Sequence, residues 1–159
     1  MANEFTAVLE KINNVVRADK TMRVALTTVL AIHKPRIFEQ GFSAKGVKLG
    51  TYSTKPISIS KSEQERNTGK TFFSGGYAEY KRDIGKNQGF VNLRNTDQMY
   101  GDYGLVGSGQ SFGFGFQNSD NYRKSQYAEA KYQTPIFELS RYEEEILADT
   151  LFNQIRNAL

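Results

Sequence analysis

Gly41–Lys86, GFSAKGVKLGTYSTKPISISKSEQERNTGKTFFSGGYAEYKRDIGK, is the stretch on which the fold turns. It is long and polar, and it separates segments whose helical periodicity is plain. Its aliphatic residues are Val47, Leu49, Ile57, Ile59 and Ile84, while Lys45, Lys48, Lys55, Lys61, Arg66, Lys70, Lys81, Arg82 and Lys86 outnumber Glu63, Glu65, Glu79 and Asp83. Such a segment buries too little apolar area to offset the ordering of its backbone, roughly 1–2 kcal/mol per residue, unless something outside it supplies contacts. A partner chain is expected to supply them.

Before this stretch, Phe5, Val8, Leu9, Ile12, Val15 and Val16 recur at three- and four-residue steps and share one face of a helix, with Asn3 as its expected N-cap. Met22, Ala25, Leu26, Val29, Leu30 and His33 continue the spacing, and either two helices or one long bent helix fits. Pro35 lacks the backbone donor a helix interior needs, so a kink or restart is expected there, with Gly41 ending a short helix through Phe38. His33, the only histidine, reads as a packing or helix-terminus residue rather than a ligand or base.

Within the stretch, Tyr52–Ser60 alternates as a short edge strand, to which Pro56 denies a central position. Asn67, Gly69 and Gly75-Gly76 mark turns, and Tyr77–Ile84 has helical composition with Gly85 as its stop. Gly69-Lys70-Thr71 is not a phosphate loop, because the glycine required five residues earlier is Gln64. Beyond it, Val91 and Leu93 alternate, and glycines 101, 104, 107, 109, 113 and 115 interleave with Tyr103, Leu105, Val106, Phe112, Phe114 and Phe116. Two antiparallel strands around Gly107-Ser108-Gly109 account for this best. FGFGF at 112–116 then puts three aromatics on one face and bare glycines on the other, where another backbone can approach or a bulge can form. No Lys or Arg lies between Arg94 and Arg123, which favours core packing over base stacking for those rings.

Asn118 or Asp120 caps a helix to about Lys131, with Tyr122, Gln126 and Ala130 on one stripe and Tyr127 beside it. Ser140 and Glu143 make an S-x-x-E capping box for the last helix. Ile146, Leu147, Leu151, Ile155 and Leu159 form its expected buried stripe, with Glu144, Glu145 and Asp149 facing away. Glu143–Glu145 are sufficiently explained by the helix dipole at that terminus.

The 159 residues suit a single domain (1–159) with an extended arm at about 47–76. The expected class is α+β: N-terminal and C-terminal helices packed on a small antiparallel sheet, with a long protruding loop or arm. The absence of cysteine removes disulfides, thiolate metal sites and thiol nucleophiles. One poorly placed histidine, no metal-ligand spacing and no cofactor fingerprint argue against an enzyme and against a cofactor. No apolar run approaches the roughly 20 residues that span a bilayer, and the N-terminus lacks a basic segment followed by a hydrophobic one. Synthesis and first use in a cytoplasm, away from membranes, are expected.

The charge is uneven. Residues 1–50 carry eight basic against four acidic residues (+4), residues 51–100 eight against five (+3), and residues 101–159 five against eight (−3). A basic arm and an acidic C-terminal segment can pair within one chain or head to tail between copies, which closes rings. The expected arm contacts are Tyr52, Lys55, Pro56, Ile57, Ile59, Lys61, Arg66, Lys70, Phe72 and Phe73, with Glu144, Glu145 and Asp149 as the acidic counterpart.

Several segments together resemble the virion-morphogenesis or tail-completion proteins of tailed bacteriophages, the Mu-like group in particular. They are Ile37-Phe38-Glu39 leading to Gly46 and Leu49–Pro56 (LGTYSTKP), Thr71–Tyr80 (TFFSGGYAEY), Val91–Thr96 (VNLRNT) with Met99, and Tyr127-Ala128 followed by Pro135–Ser140 (PIFELS). Their order and spacing carry the resemblance over most of the chain. It departs at Asp97, where that family usually has glycine, and near Thr134, where an arginine or glycine is usual. The resemblance implies a non-enzymatic α+β neck protein, assembled in the host cytoplasm and located in the virion. It would form a ring of six or twelve copies at the head–tail junction. Neighbouring neck, portal-adaptor or tail proteins are then its partners, with transient contact to DNA in the lumen allowed. The alternative is a stand-alone basic nucleic-acid-binding module, which the basic first two thirds and the Tyr and Phe content motivate.

Overall fold

The structure, a computed structural model, describes residues 2–17, 19–60, 69–87, 89–108 and 111–158. Its elements in order are α1 (Ala2–Arg17), α2 (Asp19–Phe38), β1 (Ile57–Ile59), β2 (Thr71–Phe73), α3 (Gly76–Asp83), α4 (Gln98–Asp102), β3 (Tyr103–Ser108), β4 (Ser111–Phe116), α5 (Ser119–Tyr132) and α6 (Arg141–Ala158). The class is α+β, with helices packed on small antiparallel pairings. The strands form two separate two-stranded sheets, β1–β2 and β3–β4, where one sheet is expected.

Helix α2 organises the packing, since it meets α1, α6 and the β3–β4 hairpin. Ala25, Leu26, Val29, Ile37 and Phe38 are its buried apolar residues. The restart expected at Pro35 does not occur, and the helix runs through it to Phe38. Burial of Ile37 and Phe38, together with the bonds Arg36 makes to other segments, holds the turn that proline weakens. The Pro35 carbonyl still accepts from the amides of Glu39 and Gln40, both at 2.9 Å. Gly41 (φ +69°) then reverses the chain as expected. At the other end, Asn3 lies inside α1 rather than capping it.

Strands β3 and β4 pair without a bulge from Tyr103↔Phe116 to Ser108↔Ser111. Gly107 and Ser108 therefore belong to the strand, not to the expected turn, which lies outside the described residues. Val91–Leu93 is not a strand, and Leu93 takes a left-handed φ of 54°. Phe114 and Phe116 pack against the buried cluster of Ile37, Phe38, Leu49, Val91, Tyr103, Ala128 and Ile136. Among the described residues nothing comes within 4 Å of where a Cβ would sit at Gly104 or Gly113, so none of them brings a second backbone onto the glycine face there.

Helix α5 is capped by Asn118, whose Oδ1 accepts from the Asp120 amide at 2.8 Å. Its buried residues are Asn121, Ser125 and Ala128, while Tyr122 and Tyr127 face outward, Tyr127 at 71% exposure. The aromatic stripe is thus the outer one. The Asp102 carboxylate repays burial of Asn121 by accepting from its Nδ2 at 3.0 Å. On α6, Ile146, Leu147, Leu151 and Ile155 are half-buried rather than buried, and Leu159 lies outside the described residues. Truncating Leu147 therefore costs less than truncating the fully buried Ile136.

One close approach fixes where the β1–β2 hairpin begins. Gly76 adopts φ +70°, and a Cβ there would lie 2.6 Å from the Ser53 carbonyl oxygen. Gly76→Ala incurs both left-handed strain, about 1–2 kcal/mol, and this overlap, whereas Gly46→Ala (φ +72°, open space) incurs only the first. Thermal melting should rank Gly76→Ala well below Gly46→Ala. Equal melting of the two would mean that the 53–55 segment does not rest on residue 76.

Candidate assembly surface

The arm is built from its root outward. Leu49 is buried, and the Tyr52 hydroxyl donates to Asn92 Oδ1 at 3.0 Å while accepting from the Asn92 amide at 3.2 Å. The Ala78 amide donates to the Ser53 carbonyl. Past this anchor, β1 pairs antiparallel with β2 in the register Ile57↔Phe73, Ser58↔Phe72 and Ile59↔Thr71. The expectation that this strand finds pairing only on a neighbour is therefore corrected. Thr71–Phe73 supplies it within the chain, because burial of Phe73 against the Tyr80 ring, 5.6 Å between centroids, draws β2 to the domain.

The expected contact residues divide accordingly. Tyr52 and Phe73 are anchors. Lys55, Pro56, Ile57, Lys70 and Phe72 are exposed, Phe72 at 65%, and Ile59 is half-buried. Lys61 and Arg66 lie outside the described residues. Glu144, Glu145 and Asp149 are exposed on α6, where Glu145 accepts from Arg141 Nε at 3.1 Å. The structure brings none of these three acids against the described arm residues within one chain. Further exposed apolar groups lie on the helices: Val8 and Leu9 on α1, Val24 on α2, and Phe152 on α6 at 64%.

Beneath the arm root lies a cleft of about 490 Å³ that sequence reasoning did not find. Tyr52, Tyr77 and Tyr132 wall it, Ile57 stands at its rim, and Lys81, Arg94 and Lys131 contribute positive charge. Burial drives the Lys81 ammonium down to about 8, helped by the nearby Lys86 and opposed by Asp97. The same kind of burial pushes the Tyr77 phenol up to about 12. Asp97 is held at about 2 by hydrogen bonds from Arg94 first and Lys86 second. Its backbone is left-handed (φ 60°), a conformation glycine adopts freely and aspartate tolerates.

A second group sits at the centre of the domain. His33 Nδ1 lies 3.0 Å from Glu143 Oε2, and His33 Nε2 lies 2.6 Å from the Tyr103 hydroxyl. Nδ1 also faces Arg36 Nη2 at 3.2 Å, so the ring is held between the carboxylate, the guanidinium and the phenol. Arg36 Nε donates to Glu143 Oε1 at 2.8 Å, and its Nη2 donates to the Glu138 carbonyl, also at 2.8 Å. The expected capping box is present, with the Ser140 amide donating to Glu143 Oε2 at 2.7 Å and the Glu143 amide to Ser140 Oγ at 3.4 Å. The helix dipole alone does not account for Glu143. Its burial would raise the carboxyl, but bonds from His33, Arg36 and the Ser140 amide outweigh that and hold it at about 2.

This group ties α2, β3 and α6 together. With its members bonded to one another and to carbonyls and amides inside the domain, it reads as structural. Among the described residues, no three His, Cys, Asp or Glu side chains gather to hold a metal, and no helix is long and apolar enough to cross a membrane. Comparison with protein-family models, with curated proteins and with solved structures returns no match.

Proposed function

We propose that this chain is a structural virion protein of a tailed bacteriophage, forming a homo-oligomeric ring at the head–tail junction. The observation that carries the reading is the β1–β2 hairpin, anchored by Tyr52 and Phe73 while Ile57 and Phe72 stay exposed on a two-stranded sheet to which no further strand is added among the described residues. An exposed apolar edge strand is a template for another chain, and its retention here fits a surface that is covered on assembly. The ordered series of segments resembling tail-completion proteins supports the same reading. So does Asp97, which takes the glycine-like conformation at the position where that family usually has glycine.

The rings of β4 give the nucleic-acid-binding alternative less support than the hairpin gives the assembly reading. Phe114 and Phe116 face the core, and the remaining ring of that strand, Phe112, lies under the Arg23 guanidinium at 4.6 Å.

Light scattering on the purified chain, alone and with candidate neck proteins, combined with mass spectrometry of purified virions, tests the proposal. A ring and a stoichiometric virion signal are expected. A chain that stays monomeric with every partner and is absent from virions sinks it. In the double variant Ile57→Ser, Phe72→Ser, assembly should weaken while the melting temperature stays within a few degrees, because both side chains already meet solvent.

A further inference from the structure

The cleft beneath the arm holds more positive charge than its surroundings neutralise. Lys81 is 1% exposed, yet its ammonium donates only to the Arg94 carbonyl and lies 5.1 Å over the Tyr52 ring, with no carboxylate paired to it among the described residues. The nearest acid, Asp97, is already engaged by Arg94 and Lys86. Burying an ammonium without a counter-ion is costly, and an anion entering the cleft would remove that cost. A second unmet requirement lies in the same wall, where Asn95 Oδ1 is buried without a hydrogen-bond partner. It asks for a donor, so the missing group must bring an N–H or O–H beside its negative charge.

We propose that this cleft receives an extended acidic peptide segment, with a carboxylate seated against Lys81 and Arg94 and a main-chain N–H donated to Asn95 Oδ1. The rim suits a peptide, because Ile57 belongs to β1, whose second edge carries no strand among the described residues. A nucleotide suits it less. The Tyr52 ring already meets the Lys81 ammonium and packs tilted at 48° against Tyr77, which itself packs against Tyr80, and Tyr132 lies under Lys131. Little open ring face remains on which a base could stack. The source of the peptide, a neighbouring protein at the junction, rests on the ring reading. The site itself does not.

Calorimetric titration of the full chain with an acetylated and amidated hexapeptide of alternating glutamate and valine tests the site. Its glutamine counterpart, inorganic phosphate and an oligothymidylate serve as the other probes. The glutamate peptide should bind and the glutamine peptide should not. Lys81→Met should weaken binding roughly tenfold or more, the loss of one charge-assisted hydrogen bond. Lys131→Gln should give a smaller, salt-sensitive loss. In case Lys81→Met does not fold, the side-chain nitrogen resonance of Lys81 in the unaltered protein supplies the readout. It should move on adding the glutamate peptide, and an unmoved resonance overturns the proposal. Equal binding of the two peptides overturns it as well, as does phosphate or oligothymidylate competing as effectively as the glutamate peptide. Virion mass spectrometry keeps the two readings apart, since a chain that binds the peptide but is missing from virions loses the ring and keeps the site.

Discussion

Glu143→Ala should lower the unfolding free energy by about 3–5 kcal/mol, the usual cost of removing one partner from a buried ion pair. At the 2–4 °C per kcal/mol typical of this chain length, melting should fall by roughly 10 °C. The size follows from what is stranded. Arg36 keeps the Phe42, Ile136 and Glu138 carbonyls as acceptors but loses its counter-charge, and His33 loses its carboxylate partner while its ring stays fully buried. The Ser140 amide also loses its reciprocal cap. Glu143→Gln keeps the shape and an acceptor for that amide, so it should fall between the two. A Glu143→Ala variant that melts like the parent would mean that the network contributes nothing.

The same carboxylate sets the acid limb of stability. Folding holds Glu143 at about 2, below its ordinary 4.5, so the native state favours the charged form. Its contribution is present in full above pH 4.5 and is lost as pH falls toward 2. Urea unfolding of parent and Glu143→Gln should therefore differ most near neutrality and converge near pH 2. Asp97 shifts the same way, but it is a third exposed and its share is smaller.

What the sequence revealed of this network was its local half. Ser140-x-x-Glu143 is a four-residue pattern, and it forms as read. The partnership with His33 spans 110 positions, and nothing in either neighbourhood encodes it. Helix α5 shows the opposite difficulty. Periodicity finds the helix, but tyrosine is amphipathic and stands outward here, while the face turned inward is the small and polar set Asn121, Ser125 and Ala128. Pro35 misleads for a third reason, since local propensity is overruled by the burial of Ile37 and Phe38. The β1 strand is legible in ISI after Pro56, but its partner TFF is too short a run to show a period. The cleft is assembled from four separated segments, and its cations Lys81, Arg94 and Lys131 come from three of them, too far apart in the chain to show as one motif.

Replacing Lys55–Lys70 by a short Gly/Ser linker should leave the domain melting within a few degrees of the parent and abolish ring formation. The first half follows from where the anchors lie. Leu49, Tyr52, Phe73 and Gly76 are outside the replaced segment, and the strand that is lost, β1, leaves Ile57 and Ser58 exposed even when paired. Changing the length of the closed loop alters its closure free energy by only about 0.6 kcal/mol per doubling. The second half follows from what the replaced segment offers. Ile57 is an exposed apolar group on an edge strand, and Lys55 and Lys70 are exposed cations facing solvent, as Glu144, Glu145 and Asp149 are on α6. If those acids on the next copy complete the contact, reversing Lys61, Arg66 and Lys70 to acids should give a milder defect that salt modulates, since exposed pairs are screened within about 10 Å at 0.1 M. Light scattering reads the ring, and particle titre reads its use. A linker variant that still closes rings and yields infectious particles at normal titre would move the interface to the helices, where Val8, Leu9, Val24 and Phe152 stand exposed.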